Sequence, residues 1–193
     1  MTPTTLEELE ERLSRPTPAV VDMMRGMPGD IVILGAAGKM GPSLARMAKR
    51  ASDEAGTPRR VIAVSRFREA GSQEAFQKHG IETLSVDLLD ANAVAHLPQA
   101  PNVVFMAGMK FGSTSQEPLT WAMNAWLPGL VCERYKRSRI AAFSTGNVYG
   151  LVPLEKGGSR EEDPVRPAGE YAMSCLGRER IFQHFSLQRG TPV

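Results

Sequence analysis

Three glycines spaced three residues apart, Gly35, Gly38 and Gly41, suggest a site for a phosphate group. They follow the apolar run Ile31–Leu34 and precede a helix-like segment that begins at Pro42. Without a Cβ, a glycine lets a phosphate approach the backbone closely, and the N-terminus of a helix favours an anion. The turn is therefore predicted to hold a dinucleotide pyrophosphate through Gly35, Ala37, Gly38, Lys39, Met40 and Gly41. Tight packing between strand and helix is the alternative role for the glycines.

The end of the second apolar run indicates which dinucleotide is preferred. In sites of this kind an acidic residue there binds the ribose 2′-hydroxyl of NAD, whereas an arginine suits the 2′-phosphate of NADP. The chain has Ser65 and Arg66 at this point and no carboxylate between Ser65 and Arg68. This favours NADP, with NAD as the alternative. The alternative is that Arg66 is a solvent-exposed loop residue that binds no ligand.

The elements that must position these residues alternate between strands and helices. Strands followed by helices predict an α/β fold, a Rossmann-like doubly wound parallel sheet with helices on both faces. The apolar runs predict strands at Ile31–Leu34, Val61–Val64, Thr83–Val86, Asn102–Met106 and Ile140–Phe143, and the main helices at Pro42–Arg50, Ala70–His79, Pro118–Lys136 and Tyr171–Leu187.

The chain is predicted to divide into an N-terminal helical extension, residues 1–29, and one NAD(P)-binding domain, residues 30–193. Thr5–Leu13 has leucines three or four residues apart with charges between them, which indicates a short amphipathic helix. Several prolines separate this helix from the first strand. The Gly- and Pro-rich stretch Leu151–Gly169 is predicted to be an irregular, mobile edge of the active site.

Composition narrows the classes of partner. A chain of 193 residues, 42% hydrophobic, can bury one core, and its 23 basic and 21 acidic side chains leave a net charge of +2. This balance argues against a nucleic-acid surface and favours a small-molecule partner. The two cysteines, Cys132 and Cys175, have no metal-binding spacing and fit a reducing cytoplasm. No apolar run reaches the roughly 18 to 20 residues that span a bilayer, so neither a metal site nor a membrane segment is expected.

The segment Phe143–Gly150, which reads FSTGNVYG, closely resembles the S-S/T-x-x-V-Y-G signature of extended short-chain dehydrogenases/reductases of the NAD(P)-dependent epimerase/dehydratase family. The resemblance implies that the Thr145 hydroxyl hydrogen-bonds the reacting oxygen of the substrate. A cap at the end of the strand is the structural alternative for Ser144 and Thr145.

Other segments resemble the cofactor-binding positions of the same family. Asp87, with Leu88, corresponds to an aspartate that touches the adenine ring, although an aspartate at a strand end is often a helix cap. The stretch 102–110, NVVFMAGMK, is similar to the fourth strand and following loop of sugar-nucleotide epimerases. The resemblance implies that the cofactor is also contacted by Ala107, Gly108, Lys110 and Asn124.

The third resemblance departs from the family pattern. Tyr171 begins a segment similar to the family's Y-x-x-x-K motif, but Cys175 stands where the lysine would be. The family's lysine lies beside the tyrosine, lowers its pKa and holds the nicotinamide ribose. A tyrosine titrates near about 10, so Tyr171 alone is a poor base at neutral pH. The candidate catalytic set is Thr145, Tyr171 and Cys175.

Three explanations of this departure stay open. A substitute cation is available from Arg178, on the same helix face, from Lys110, or from an oxidised nicotinamide. Alternatively, the protein runs slowly or uses Tyr171 as an acid or a hydrogen-bond donor. The third explanation is nucleotide binding without catalysis.

The resemblance covers Ile31–Val193 and implies an oxidoreductase that acts on a hydroxyl or keto carbon of a sugar or sugar nucleotide. Family members continue with a sixth strand and a substrate domain, so the substrate-binding part is expected to be missing, in a fragment or an abbreviated protein. A nucleotide-binding sensor or scaffold is the alternative function. A homodimer is expected by analogy alone.

Overall fold

The structure is a computed structural model that describes residues 2–110 and 114–193. The strands are β1 (Ile31–Leu34), β2 (Val61–Ser65), β3 (Glu82–Ser85), β4 (Asn102–Phe105) and β5 (Arg139–Ala142). The α-helices are α1 (Leu6–Leu13), α2 (Pro18–Gly26), α3 (Gly41–Glu54), α4 (Glu74–Gln77), α5 (Ala91–Ala95), α6 (Glu117–Trp121), α7 (Leu127–Arg134) and α8 (Gly169–Arg189). A π-helical turn spans Ala122–Trp126, and 3₁₀ turns span Gly146–Tyr149 and Leu154–Lys156.

The strands form one parallel sheet in the order β3-β2-β1-β4-β5, which confirms the predicted α/β class. Ile31 of β1 aligns with Val61 of β2 on one side and with Asn102 of β4 on the other. The carboxyl ends of these strands therefore lie level, and the loops that follow them share one edge of the sheet. All four side chains of β1 are buried, as expected for a central parallel strand.

Alternate residues of β1 enter two separate cores because successive strand side chains point to opposite faces. Val32 and Leu34 pack in the cluster that contains residues of α5, α7 and α8. Ile31 and Ile33 pack in the cluster that contains residues of α2, α3 and α4. The sheet is thus covered by helices on both faces, and the glycine turn leaves β1 between the two layers.

The N-terminal region contains the predicted amphipathic helix, α1, and a helix that the sequence did not predict, α2. Pro18 begins α2, where its missing N–H has no helical partner, and the Thr17 side chain accepts from Val20 N at 3.4 Å. Val21 and Met24 of α2 are buried in the core beneath β1. The prolines had suggested only an irregular segment before β1, but they mark the start of a packed helix.

The predicted helix Pro118–Lys136 is divided into α6, the π turn and α7. Pro128 lacks the N–H that an α-helix would direct to the carbonyl of Asn124, and the widened turn lies immediately before it. The predicted helix Ala70–His79 is shorter, because Gly71 adopts φ +76° and a regular helix begins only at Glu74. None of the helices in the described residues is long and apolar enough to cross a membrane.

Candidate functional site

The glycine turn connects β1 to α3 through two successive tight turns. Gly38 N donates to Gly35 O at 3.2 Å, and Gly41 N donates to Gly38 O at 3.0 Å. Gly35 has φ +85°, and a Cβ there would lie 2.6 Å from Ala107 N; a Cβ on Gly41 would lie 1.9 Å from Ala36 O. These two glycines are required for packing. A Cβ on Gly38 would meet only Gly35 O, at 3.4 Å, so Gly38 alone leaves open space for a ligand.

A cavity of about 290 Å³ lies against this turn, at the carboxyl ends of β1, β2, β3 and β4. A parallel sheet with its ligand crevice at this edge is the arrangement that binds nucleotides in doubly wound folds. The predicted residues that line the cavity are Gly35, Ala37, Gly38, Ser65, Arg66, Asp87, Leu88, Ala107 and Gly108. Five predicted cofactor-binding residues lie outside its lining: Lys39, Met40, Gly41, Lys110 and Asn124.

The cavity also has a basic end at the loop after β2. Arg66 and Arg68 both line it, and Phe67 between them adopts φ +43° and packs edge-on against Phe76, 5.6 Å between ring centroids. Phe67 therefore anchors the loop in the core while the two arginines remain exposed. Arg66 Nη1 lies 3.8 Å from Asp87 Oδ2, and both side chains are about half exposed. Such a contact stabilises little and leaves the guanidinium available to a ligand.

Asp87 is held in a turn of its own. Its carboxylate accepts from Leu89 N at 3.0 Å, which is the local role expected of an aspartate at a strand end. The side chain remains exposed and lines the cavity. Asp87 therefore makes its local hydrogen bond and still faces the cavity.

Thr145, Tyr171 and Cys175 come together around the Tyr171 phenol, and none of the three is among the residues that line this cavity. The Thr145 side chain caps the 3₁₀ turn by accepting from Asn147 N at 3.3 Å, and Tyr171 lies half-buried in the first turn of α8. Burial raises the pKa of Tyr171 above its usual value; Thr145 and Arg178 oppose this rise, while Cys175 adds to it. Lys110 Nζ lies 5.8 Å from the centroid of the Tyr171 ring. Arg178 and Lys110, the two side-chain cations suggested by the sequence, are therefore both within electrostatic range of the phenol.

Asn124 is buried in the π turn, and its amide joins the loop after β4 to α8. Its Oδ1 accepts from Met109 N at 2.9 Å, and its Nδ2 donates to Met109 O at 3.2 Å and to Ser174 Oγ at 3.0 Å. A π turn is often found at functional sites, and here it directs Asn124 toward the loop after β4. The amide thereby fixes the backbone next to Gly108.

Sequence reasoning missed several cavity residues. Phe67, Glu69, Ser72, Val86, Met106 and Met123 line the cavity but were not proposed as site residues, and neither was Arg68. Arg68 has the same residue type as Arg66 two positions away, which was an available signal. Met123 comes from the π turn, and no local pattern distinguishes it from a core methionine. Within the described residues, no group of three His, Cys, Asp or Glu side chains could hold a metal ion.

The sheet order, the glycine turn and the crevice at the strand ends define a Rossmann-type nucleotide-binding fold. Residues 31–193 match the sequence profile of the NAD dependent epimerase/dehydratase family. The chain belongs to this family, as the resemblance of its motifs indicated. No curated protein is similar enough to match the chain.

Solved structures of epimerases and dehydratases share the fold. UDP-glucuronic acid 4-epimerase from Bacillus cereus, in complex with NAD, superposes with a TM-score of 0.68 at 19% identity, over 84% of this chain and 54% of that one. DesIV, a dTDP-glucose 4,6-dehydratase from Streptomyces venezuelae with NAD and TYD bound, gives a TM-score of 0.71 at 20% identity, over 83% and 52%. The UDP-Glc/GlcNAc 4-epimerase from Campylobacter jejuni gives 0.66 at 19% identity, over 84% and 50%. The chain thus spans about half the length of these structures.

Proposed function

We propose that the chain binds the cofactor and exchanges the proton in the reaction of an NAD(P)-dependent oxidoreductase that acts on a hydroxyl or keto carbon of a sugar nucleotide. The observation that carries this proposal is the cavity formed by four strand ends, together with the pairing of Thr145 and Tyr171. The loop after β4 connects the two, because its Gly108 lines the cavity and its Lys110 lies 5.8 Å from the centroid of the Tyr171 ring. The proposed substrate class is that of the similar structures, whose descriptions name UDP- and dTDP-sugars. An α/β crevice of this kind is where the reacting groups of cofactor and substrate meet.

The residues of the cavity fit a dinucleotide. The turn at Gly38 has room for a phosphate that a Cβ would fill, and α3 begins directly after the turn, so its N-terminal end favours an anion. Ala107 and Gly108 present small residues at the cavity wall. When bound, the nicotinamide cofactor supplies or accepts the hydride.

We propose NADP as the preferred form, with NAD as the alternative. Ser65 ends β2 without a carboxylate, and Arg66 and Arg68 both face the cavity at that point. Two guanidinium groups complement a 2′-phosphate. Glu69, which lines the same cavity, would repel that phosphate. The similar structures named above with a bound cofactor contain NAD, so NADP is proposed from the residues of this chain alone.

Tyr171 is proposed to act from its protonated form. Because burial keeps the pKa of Tyr171 above its usual value, the phenol carries its proton at neutral pH. It can then donate that proton to the substrate oxygen when a keto carbon is reduced, while Thr145 holds the same oxygen by a hydrogen bond. The phenol regains its proton from solvent to complete the cycle. Cys175 has its pKa raised by burial and stays a neutral neighbour.

The remaining expectations belong to the same proposal. The division at residue 30 into an extension and a nucleotide-binding domain is one of them, as is a cytoplasmic location, where two buried free cysteines stay reduced. A homodimer through the surface of α6, the π turn and α8 is supported by exposed apolar side chains there, among them Trp126 and Met173. Sedimentation analysis that finds a monomer at all concentrations would exclude the dimer.

A nucleotide-binding sensor or scaffold is the second candidate function. The absence of the family's lysine and the raised pKa of Tyr171 favour it over a fast enzyme. The two candidates share the cofactor cavity and differ only in what Tyr171 does.

The test compares the parent chain with Tyr171→Phe and Thr145→Ala, using nicotinamide absorbance and product analysis with UDP-glucose, UDP-glucuronic acid and dTDP-glucose. The enzyme proposal expects turnover by the parent and a loss of about 10²-fold or more in Tyr171→Phe. Tyr135→Phe, which removes a phenol hydroxyl far from the cavity, is the matched control and is expected to keep the parent rate. Dinucleotide binding without turnover of any of these substrates would favour the sensor, and absence of dinucleotide binding would reject both functions.

A further inference from the structure

Arg178 is a buried cation one helical turn beyond Cys175. Its side chain is inside the protein, with the residue only 6% exposed. Nη1 donates to Phe143 O at 2.8 Å and Nη2 donates to Asn124 Oδ1 at 2.7 Å. The guanidinium also lies 5.7 Å from the centroid of the Phe105 ring. None of the ion pairs among the described residues includes Arg178.

This cation lies directly behind the wall of the cofactor cavity. A Cβ on Gly108, which lines the cavity, would come within 2.6 Å of Arg178 Nη2 and within 3.1 Å of Asn124 Oδ1. The glycine therefore makes room for the guanidinium. A small residue in front of a buried positive charge brings that charge close to whatever occupies the cavity.

A positive charge without a carboxylate partner is costly to bury. Burial lowers the pKa of Arg178, and its Nε has no hydrogen-bond partner among the described residues. Core packing alone would be served by an apolar side chain of similar volume. A buried charge kept beside a cavity is a physical reason to look for a functional role.

We propose that Arg178 is a positioning residue that replaces, from the next turn of α8, the cation absent at Cys175, and that it orients Asn124 and the Phe143 carbonyl around the reacting groups. The proposal rests on the proposed function and specifies how this chain carries it out. Arg178 is not among the residues that line the cofactor cavity, so we expect it to act through these two partners and through its electrostatic field.

The hydrogen bonds of Arg178 connect it both to the loop that carries Thr145 and to the helix turn that carries Cys175. Phe143 immediately precedes Ser144 and Thr145, so the bond to its carbonyl fixes the start of that loop. Asn124 Oδ1 accepts from both Arg178 and Met109 N, which leaves its Nδ2 to face Ser174, one residue before Cys175. The amide thus cannot turn over while the guanidinium is in place.

The groups that face Tyr171 come from three elements. Thr145 comes from the loop after β5, Lys110 from the loop after β4, and Cys175 and Arg178 from α8 itself. Cys175 senses the positive charge of both Arg178 and Lys110 and the negative charge of Glu179. The two cations outnumber this carboxylate, so a lysine placed at position 175 would add a third positive charge to the site.

The test is a charge exchange on the whole chain: Cys175→Lys, Arg178→Met, both changes together, and Arg178→Lys. We expect Cys175→Lys alone to lower the melting temperature by about 5 °C or more, because like charges are forced together. The double variant should recover most of that loss, since its α8 contributes one cation to this site, as the α8 of the parent does. Arg180→Met, which removes an exposed arginine from the same helix, should melt like the parent.

The second readout is the ionisation of Tyr171, followed by tyrosinate absorbance as the difference from the same variant carrying Tyr171→Phe. Arg178→Met should raise the titration midpoint by about one unit, tenfold in ionisation constant, and Arg178→Lys should leave it near the parent value. Neither readout requires cofactor, so absent dinucleotide binding would reject the proposed function without affecting these results.

Two results would overturn the proposal. One is a Cys175→Lys variant at least as stable as the double variant, which would show that no cation already fills the site. The other is a folded Arg178→Met variant with an unchanged Tyr171 midpoint. Should Arg178→Met fail to fold, the double variant and Arg178→Lys still decide: a Tyr171 midpoint in Arg178→Lys raised by one unit would contradict the role of the charge.

Discussion

The glycine turn and the first turns of α8 lie at the same edge of the sheet but depend on different physical properties. In the glycine turn the important groups are backbone atoms, and close contacts such as Gly41 against Ala36 O decide which residues fit. In α8 the important property is the charge beside Tyr171, and Cys175 changes it without disturbing the helix. A site built from backbone is constrained by packing, whereas a site built from charge can be rearranged among neighbouring side chains.

The largest effect on stability is expected in the glycine turn. Gly41→Val places a side chain where Ala36 O already lies, and we expect a loss of about 3 kcal/mol in the free energy of unfolding. Gly26→Ala is the matched control, because a Cβ on Gly26 meets nothing within 4 Å. Urea unfolding measures both variants. A Gly41→Val chain as stable as Gly26→Ala would show that the turn is not packed as described.

On the charged side, Asn124→Leu should cost about 2 kcal/mol, because it leaves the backbone groups of Met109 and the Arg178 guanidinium without their partner. The comparison variant is Asn92→Leu on an exposed face, and chemical denaturation followed by circular dichroism compares the two. Equal stability of the two variants would mean that the buried amide network contributes nothing.

A smaller effect is expected at the basic end of the cavity. Ser65→Asp should move the ratio of NAD to NADP affinity about tenfold toward NAD, because a carboxylate binds the 2′-hydroxyl and repels the 2′-phosphate. Fluorescence titrations with both dinucleotides measure the ratio. Ser65→Asn, which has the same shape without the charge, is the control, and an unchanged ratio in Ser65→Asp would reject the proposed role of this loop.

The smallest effect is expected for Tyr135, a buried tyrosine in the core, whose ionisation makes the stability of the fold depend on pH. Burial raises the pKa of Tyr135 to about 12, while in the unfolded chain it is about 10. Above pH 10 the unfolded state loses the phenol proton and the folded state keeps it, so stability present below pH 10 is lost as the pH rises toward 12. Relative to Tyr135→Phe, the parent should lose about 1 kcal/mol by pH 11, measured by urea unfolding at each pH. Parallel pH profiles would contradict this burial effect.

The sequence predicted those features that depend on local pattern. The five strands, the turn at Gly35–Gly41 and the long helix that carries Tyr171 all follow from apolar runs and glycine spacing, and each was found close to the expected bounds. The helix α2 was missed because Pro16 and Pro18 suggested an irregular approach to β1. The interruption before Pro128 was missed because helical periodicity does not distinguish an α turn from a π turn.

For the candidate site, residue types indicated the lining but not the contacts behind it. The glycines were assigned to phosphate binding, and only the three-dimensional contacts separate Gly35 and Gly41, which pack, from Gly38, which faces open space. Arg178 was one of several possible substitute cations in the sequence. Its bonds to Asn124 and to the Phe143 carbonyl join segments far apart in the chain, and no local spacing encodes them.

Calorimetric titration of NADP and NAD into the parent chain and into Gly38→Val tests whether the turn at Gly38 binds a dinucleotide. A side chain at Gly38 has room in the fold but takes the space assigned to the pyrophosphate. We expect saturable binding of one dinucleotide by the parent and at least about tenfold weaker binding by the variant, which should melt at the parent temperature. Equal affinity of the two folded proteins, or no binding by the parent, would contradict this expectation.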